Sequence, residues 1–332
     1  AIKNHTTQKY KAVCGVNSRV RFALTGTPVE NRLGELWSIF SFLMPGYLPP
    51  YKSFCSRFEK PITQENDPAA VRRLNQLTGP FILRRMKADV LRELPPKTEN
   101  VHRIELDTEQ RKLYLAAVVD AREKLRAAKP EDKMAVFAVL MRLRQICCDP
   151  RLVADNWSGG SAKLDACMEL VTAAVEGGHR ILLFSQFTSM LELLAKRLDE
   201  AGVSHFTLQG STPKPVRAEQ VRRFNQGEAD VFLISLRAGG TGLNLTAADI
   251  VIHYDPWWNL AAQNQATDRA YRIGQRNPVQ VYRLIAQDTI EEKIVELQQA
   301  KQSLADTVTG GADGAILSMN PEQLLQLLGE EA

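Results

Sequence analysis

Short apolar runs alternate with amphipathic stretches over residues 180 to 305. Several of the runs are continuously apolar, which is typical of parallel strands covered on both faces. The stretches between them place apolar residues at the helical period, as along Phe187–Leu198. The predicted strands are Ile181–Phe184, His205–Leu208, Val231–Ile234, Ile250–Ile252 and Val279–Ile285. This alternation predicts an α/β fold, a doubly wound parallel sheet with right-handed crossovers.

The pattern upstream of this region changes to helices without intervening strands. Residues 107–147 are helical throughout, and DNWSGGS at 155–161 closes them with a loop signature. We interpret about 107–157 as a helical insertion that projects from the α/β domain.

The remaining segments predict a second, earlier domain. Residues 1–90 contain one clear strand, Arg21–Leu24, followed by helices and proline-rich turns. The run Leu94-Pro95-Pro96 indicates an extended connector, since proline biases its predecessor away from helix. We therefore place the α/β domain at 91–332, with a C-terminal brace at about 309–332.

Composition and charge limit the class of protein. The 332 residues are 44% apolar and 24% charged, which is ordinary for a globular protein. The net charge is only +4, so a nucleic-acid surface has to be a local patch. No apolar run approaches the roughly 20 residues of a membrane span, and the five cysteines show no C-x-x-C pairing for zinc. Basic patches lie at Arg84, Arg85 and Lys87, at Arg142, Arg144 and Arg151, and at Arg269, Arg272, Arg276 and Arg283.

The stretch Ala238–Gln275 is the most informative part of the chain. It joins a glycine-rich turn, a strand, a double-tryptophan loop and a predicted helix. Gln265, Arg269 and Arg272 follow at spacings of four and three, which predicts one shared helical face. Two arginines backed by an amide suit a surface that meets phosphate oxygens with forked donors. A solvated arginine face is the ordinary alternative, but the preceding glycine loop and strand favour phosphate binding.

This stretch resembles helicase motifs V and VI of the Swi/Snf-type (sucrose non-fermenting) family of ATP-dependent DNA translocases, in helicase superfamily two. LTGTPVENRLGELWSIFSFLMPG at 24–46 is similar to motif III, and ILLFSQFTSMLELL at 181–194 to motif IV. FILRRMKADVLRELPPKTE at 81–99 resembles the inter-lobe signature. The resemblance covers nearly the whole chain. It implies that 91–332 is the second RecA-like lobe (the helicase C-terminal domain) and 1–90 the tail end of the first RecA-like lobe.

The chain lacks part of the chemistry that such an engine needs. It contains no G-x-x-x-x-G-K-[ST] phosphate loop and no acidic box after a buried strand. In the resembled family Ile-Lys-Asn commonly follows the acidic (Walker B) motif, and this chain reads Ile2-Lys3-Asn4. The resemblance therefore implies a C-terminal motor half that begins just after that motif. ATP and Mg²⁺ would be bound mainly by the missing N-terminal half, and the fragment alone is expected to be nearly inactive.

The resemblance also implies which residues meet the nucleotide. Arg269 and Arg272 of motif VI are expected to reach across the inter-lobe cleft to the γ-phosphate as arginine fingers, with Gln265 beside them. Gly240 and Gly242 of motif V would let the backbone approach phosphate oxygens. A tight turn is the alternative interpretation of the glycines taken alone.

A second set of residues is expected to contact DNA or to couple the two ligands. The expected DNA contacts are Ser185, Gln186, Thr241, Asn244, Trp257 and Trp258. For one tryptophan of the pair, ordinary packing is an equally good interpretation. Thr25, Gly26 and Thr27 resemble motif III, which couples nucleotide state to DNA contact, although a capped helix start explains them nearly as well.

Three functional hypotheses follow. The leading one is the C-terminal motor half of an ATP-dependent double-stranded DNA translocase or chromatin or nucleoprotein remodeller. Its partners would be DNA, a DNA-bound protein client and the N-terminal RecA-like lobe of the same protein, with no membrane involved. The alternatives are a non-catalytic nucleic-acid or protein docking lobe and a strand-separating DNA or RNA helicase. The short insertion resembles compact prokaryotic members, which implies a cytoplasmic or nucleoid location, or a nuclear one in a eukaryote.

Overall fold

The chain divides into two compact units, each with its own core. They comprise Ala1–Val90 with Leu297–Ala315 and Leu91–Glu296 with Ile316–Ala332. Within the described residues, every helix is too short or too polar to cross a membrane. The computed structural model describes residues 2–25, 32–65, 67–83, 94–129, 132–236, 238, 242–305 and 319–329.

The described part of the first unit is helical. Leu36, Phe40, Phe54 and Leu74 meet in its core and are almost fully buried. A π-helical turn, Cys55–Glu59, joins the third and fourth helices. The helices are α1 Gln8–Cys14, α2 Gly34–Leu43, α3 Tyr51–Phe54, α4 Lys60–Gln64 and α5 Pro68–Thr78.

The prediction of a strand at Arg21–Leu24 is wrong. The segment is irregular, and Phe22 and Leu24 are 85% and 100% exposed. A strand is held by hydrogen bonds to a neighbouring strand, and none of the described residues of this unit forms one. Apolar character alone is therefore not enough to fix the segment.

A six-stranded parallel sheet forms the centre of the second unit within the described residues. The strands are β1 Lys97–Ile104, β2 Ile181–Ser185, β3 His205–Leu208, β4 Val231–Ser235, β5 Ile250–His253 and β6 Val279–Ala286. Their order is β1-β6-β5-β2-β4-β3, and every neighbouring pair is parallel. This confirms the predicted doubly wound α/β sheet.

Helices cover both faces of the sheet, which explains the continuously apolar strands. Along β2, Ile181 and Leu183 pack into one core, and Leu182 and Phe184 into the other. The core residues on both faces are almost fully buried, as expected for a parallel sheet between helical layers. The helices that begin in this unit are α6 Thr108–Ala127, α7 Lys133–Cys148, α8 Ala162–Glu176, α9 Thr188–Glu200, α10 Lys214–Asn225, α11 Leu260–Thr267, α12 Ile290–Ala305 and α13 Pro321–Leu327. Helix α12 continues past Glu296 into the segment that belongs to the first unit.

The apolar pattern does not predict β1, the edge strand. Its residues KTENVHRI are exposed except for Ile104. The strand pairs with β6 alone, in a register from Lys97 opposite Val279 to Ile104 opposite Ala286. An edge strand with a solvated surface needs no apolar run, so hydrogen bonding to β6 determines its conformation.

Helices α6 and α7 occupy the segment predicted as a helical insertion. Asp107 and Asp132 cap their N-termini by accepting hydrogen bonds from backbone amides. The end of α7 is anchored to the sheet, because the Tyr254 hydroxyl donates to the carbonyl of Cys148 at 2.9 Å. Ser161 Oγ donates to the same carbonyl at 3.0 Å. The insertion is thereby tied to the residue that follows β5.

Stability of the second unit should depend on the protonation of His253. Its buried ring stacks on Phe184, and Nε2 lies 2.9 Å from Thr267 Oγ1. Burial, then the charges of Arg283 and Lys97, lowers the pKa of His253 from 6.5 to about 3. The unfolded chain binds this proton near pH 6.5 and the folded chain only near pH 3. Folding stability should therefore fall as pH drops through that window, by up to about 1.4 kcal/mol per pH unit.

Urea denaturation at pH values from about 7 to about 5 measures this dependence. His253→Leu should unfold with a shallower pH slope than the wild type, whereas His102→Leu, at an exposed position of β1, should retain the wild-type slope. Equal slopes for the wild type and His253→Leu would show that another group carries the pH dependence.

Candidate functional site

The carboxyl ends of β2, β4 and β5 meet at one edge of the sheet. Ser185 lies opposite Ser235 in the register, and Phe184 lies opposite His253. Beyond the strands, the Tyr254 amide still donates to the carbonyl of Phe184 at 2.9 Å. The loops that leave these strands therefore start side by side, at the edge where open α/β sheets bind ligands.

Two of the predicted motifs are joined by direct hydrogen bonds. The amide of Leu245, in the 242–245 loop after β4, donates to the carbonyl of Arg269 at 3.0 Å. Arg272 Nη1 donates to the carbonyl of Leu243 at 3.4 Å. The loop that resembles motif V and the turn that resembles motif VI thus form one hydrogen-bonded unit.

Gly242 and Asn244 are the described candidates in that loop, and both are exposed. Gly242 has a φ of +61°, a left-handed conformation in which a side chain is strained. The backbone carbonyl of Asn244 accepts a hydrogen bond from Asn225 Nδ2 at 2.8 Å, which ties the loop to α10. The loop is therefore held in place by hydrogen bonds, while Gly242 and Asn244 remain exposed to solvent.

The prediction of one helical face for Gln265, Arg269 and Arg272 is wrong. Helix α11 ends at Thr267, so only Gln265 is helical. Gln265 is exposed, whereas Arg269 is 7% exposed. The backbone amide of Arg269 bonds three residues back rather than four, and its carbonyl accepts from Leu245 in the neighbouring loop. These tertiary bonds replace the helical ones and end the helix before the arginines.

Arg269 and Arg272 nevertheless lie close enough together for their charges to interact. Burial lowers the pKa of Arg269, and the neighbouring charge of Arg272 lowers it further, against an opposing effect of Asp268. Arg269 Nε is buried and has no hydrogen-bond acceptor among the described residues. Within the same residues, no carboxylate forms an ion pair with either guanidinium. Arginine stays cationic in proteins, so two positive charges lie near each other beside the 242–245 loop.

Ser185 does not lie on the surface, so the predicted contact of its side chain with DNA is incompatible with the structure. The residue is fully buried, and its hydroxyl donates to Asp255 Oδ1 at 2.6 Å. The same carboxylate oxygen accepts from the amide of Gln186 at 3.2 Å. Ser185 is the last residue of β2, and every residue of this strand is buried. Gln186, the next residue, is partly exposed.

Asp255 is paired with Arg144 of the insertion helix α7. Arg144 Nη2 lies 3.2 Å from Asp255 Oδ2, and both side chains are fully buried. The same nitrogen donates to the carbonyl of Pro256. Burial raises the pKa of Asp255, against the opposing effects of Arg144 and the Ser185 hydroxyl. This ion pair links α7 to the ends of β2 and β5.

The two tryptophans differ in their surroundings, although both are partly exposed. The guanidinium carbon of Arg144 lies 4.3 Å from the centroid of the Trp258 ring, which is a cation–π contact. Trp257 is held through its backbone amide, which donates to Gln263 Oε1 at 3.3 Å. Trp258 is thus in direct contact with the insertion-segment helix α7 through Arg144.

Several predicted site residues lie outside the described residues. They are Gly26, Thr27, Gly240 and Thr241, together with the basic residues Arg84, Arg85 and Lys87. Thr25 is described and exposed. In the described part of the chain, no three His, Cys, Asp or Glu side chains are grouped as metal ligands.

Sequence reasoning missed the pairing of Arg144 with Asp255. The two residues are 111 positions apart, so no local pattern connects them. One signal was available, because Arg144 lies on the apolar face of α7 between Leu140 and Cys147. A charge on a buried face requires a partner, and the acid directly after a buried strand is the natural candidate.

Sequence and structure comparisons identify the family. The SNF2-related domain matches residues 1–152, and the helicase conserved C-terminal domain matches residues 162–274. The Sulfolobus solfataricus SWI2/SNF2 ATPase core in complex with dsDNA is 34% identical, with a TM-score of 0.60. That likeness covers 100% of this chain and 71% of the other. The chain belongs to the SWI2/SNF2 ATPase family.

Curated relatives of the chain extend well beyond the matched region. A putative ATP-dependent helicase/translocase, YwqA, of Bacillus subtilis is 40% identical over 335 residues, 98% of this chain and 36% of its own length. An uncharacterized ATP-dependent helicase of Mycoplasma pneumoniae is 39% identical over 330 residues, 98% of this chain and 31% of its own length. The chain therefore spans about a third of these relatives, and it is a helicase-like ATPase region with a RecA-like fold.

Proposed function

We propose that this chain supplies the arginine side of a composite ATP site in a double-stranded DNA translocase or remodeller. The observation that carries the proposal is the bonding of Arg269 and Arg272 to the 242–245 loop, with no carboxylate partner among the described residues. Two neighbouring guanidinium groups repel each other, and an anion with several oxygens between them offsets that repulsion. The triphosphate group of a nucleoside triphosphate is such an anion.

The described residues fit the phosphate end of a nucleotide. The buried Nε of Arg269 needs an acceptor, and the left-handed Gly242 allows close approach of the backbone to phosphate oxygens. Bound MgATP supplies the phosphoanhydride whose hydrolysis drives such engines. Arg272, which is exposed, and Arg269 would stabilise the charge that develops on the γ-phosphate. Gln265, exposed on α11, would help to orient the nucleotide.

The other wall of this site requires groups that the 332 residues do not contain. Their sequence has no phosphate loop of the form G-x-x-x-x-G-K-[ST]. We assign that loop and the acidic box that holds Mg²⁺ to another segment of the same protein. The length of the curated relatives supports this assignment.

The DNA contacts in this proposal come from three exposed or partly exposed residues. Asn244, Gln186 and Trp257 lie on loops at the carboxyl edge of the sheet. The side-chain amide of Asn244 would donate to a phosphate oxygen without reading the base sequence. Gln186 Nε2 is buried without an acceptor among the described residues, so this residue would meet DNA through the partly exposed remainder of its turn. A relative whose core is described in complex with dsDNA supports a duplex as the ligand.

Salt and DNA dependence of ATP hydrolysis test the proposal directly. In the complete protein, duplex DNA of any sequence should stimulate hydrolysis, and the logarithm of the apparent DNA affinity should fall linearly with the logarithm of salt concentration. The isolated 332-residue chain should hydrolyse little ATP under the same conditions. Substantial hydrolysis by the isolated chain would contradict a site split between two segments.

Two displacement assays separate this function from its alternatives. A translocase moving along a duplex should remove a third strand from a triplex and leave the duplex intact. Separation of the duplex strands would indicate a helicase instead. Absence of any DNA-stimulated hydrolysis by the complete protein would favour a non-catalytic docking lobe.

A further inference from the structure

Arg144 is the largest fully buried side chain of the described residues, and it occupies an unusual environment. Its Nη2 bonds both to the Asp255 carboxylate and to the carbonyl of Pro256. The flat guanidinium also lies 4.3 Å from the Trp258 ring centroid and 5.6 Å from that of Phe187. One side chain of the insertion helix α7 therefore holds the backbone, the carboxylate and one ring of the segment after β5.

Asp255 extends this hold to the loop after β2. Its Oδ2 faces Arg144, while its Oδ1 accepts from Ser185 Oγ at 2.6 Å and from the Gln186 amide at 3.2 Å. The Ser185 hydroxyl in turn accepts from the amide of Phe187 at 3.2 Å. The start of α9 and the double-tryptophan loop thus share a single buried anchor.

Stability alone does not account for this arrangement. Arg144 Nε and Nη1 are buried without a hydrogen-bond acceptor among the described residues, and burial lowers the pKa of the guanidinium. Replacing a buried ion pair by apolar residues is often neutral or stabilising. A charge that is only partly satisfied is better explained by the geometry that it fixes, because a planar fork orients its partners in a way that apolar contacts do not.

We propose that Arg144 is a positioning residue that sets the Trp257–Trp258 loop and the Gln186 turn relative to each other for DNA engagement. This inference rests on the proposed function, since Gln186 and Trp257 are DNA contacts only there. Arg144 touches neither the nucleotide-facing arginines nor the 242–245 loop through any hydrogen bond among the described residues. Arg144 thereby connects the insertion helix α7 to the loops that bind DNA in the proposed function.

Arg144→Met in the complete protein tests the proposal. ATP hydrolysis is measured against duplex DNA concentration, with the ATP KM and the thermal melting curve alongside. The half-stimulating DNA concentration should rise by about tenfold or more, because small misplacements of positioned groups have effects of this size. The ATP KM should stay near the wild-type value. Lys133→Met, at an exposed position of the same helix, should behave as the wild type.

Two further variants test the proposal even if Arg144→Met does not fold. Arg144→Met with Asp255→Asn leaves no lone buried charge, and Arg144→Lys retains a charge without the flat fork over Trp258. Both should show the weakened DNA response. A wild-type DNA response in any folded variant of Arg144 would overturn the proposal. If the wild-type protein itself shows no DNA stimulation, the proposed function fails instead, so the two failures are distinguishable.

Discussion

Arg272→Ala in the complete protein should lower the ATP turnover number by about 10³-fold, while ATP binding weakens far less. Arg272 is exposed beside the 242–245 loop, and the hydrogen bond that its Nη1 donates to the carbonyl of Leu243 is long, at 3.4 Å. Loss of that bond has little effect on the fold. Loss of a guanidinium that meets developing charge on a γ-phosphate raises the barrier of the chemical step. Single-turnover hydrolysis and equilibrium ATP binding, measured on the same protein, separate the two effects.

Arg276→Ala is the matched control for this prediction. Arg276 is also an exposed arginine of the same basic patch, four residues further along the chain. A general loss of positive charge would affect both variants equally, whereas a catalytic role affects Arg272→Ala alone. Unchanged DNA-stimulated turnover in Arg272→Ala would remove the catalytic assignment of this residue.

The strands between helices were predictable because burial on two faces leaves a direct mark on the sequence. Ile181–Ser185 and Val231–Ser235 are fully buried or nearly so at every position, and both appear as apolar runs. Lys97–Ile104 bears no such mark because it lies at the edge of the sheet. Arg21–Leu24 shows the opposite error, since it has the apolar pattern of a strand but no described partner strand. The pattern of apolar residues therefore predicts which strands are buried, whereas formation of a strand also depends on a neighbouring strand that hydrogen-bonds to it.

The candidate site was predictable only where the residues that meet in the structure also lie close together in the sequence. The order of a glycine loop, a strand and an arginine turn brought Gly242, Asn244, Arg269 and Arg272 to the same edge of the sheet. The helical face expected for the arginines did not form, because the carbonyl of Arg269 bonds to a residue of another loop. Tertiary hydrogen bonds of this kind are not encoded in local spacing.

A second buried ion pair gives the largest expected effect on stability. Lys163, at the start of α8, and Glu291, at the start of α12, are both fully buried and in contact. Glu291 Oε2 also accepts from the amide of Ala286 at 2.8 Å. Burial lowers the pKa of Lys163, but Glu291, with smaller effects of Cys148 and Cys147, raises it by more in total, and the net shift is upward. Lys163 therefore stays charged in the interior.

Lys163→Met should reduce the free energy of unfolding by about 3–5 kcal/mol, because it leaves the Glu291 carboxylate buried without a counter-charge. Adding Glu291→Gln should recover most of the loss, since the amide oxygen still accepts from Ala286 and no lone charge remains. Lys112→Met is the control: its ion pair with Glu109 is exposed and should contribute less than about 1 kcal/mol. Urea denaturation of the four proteins measures these differences. A double variant no more stable than Lys163→Met would mean that packing of the lysine stem, and not the unpaired carboxylate, causes the loss.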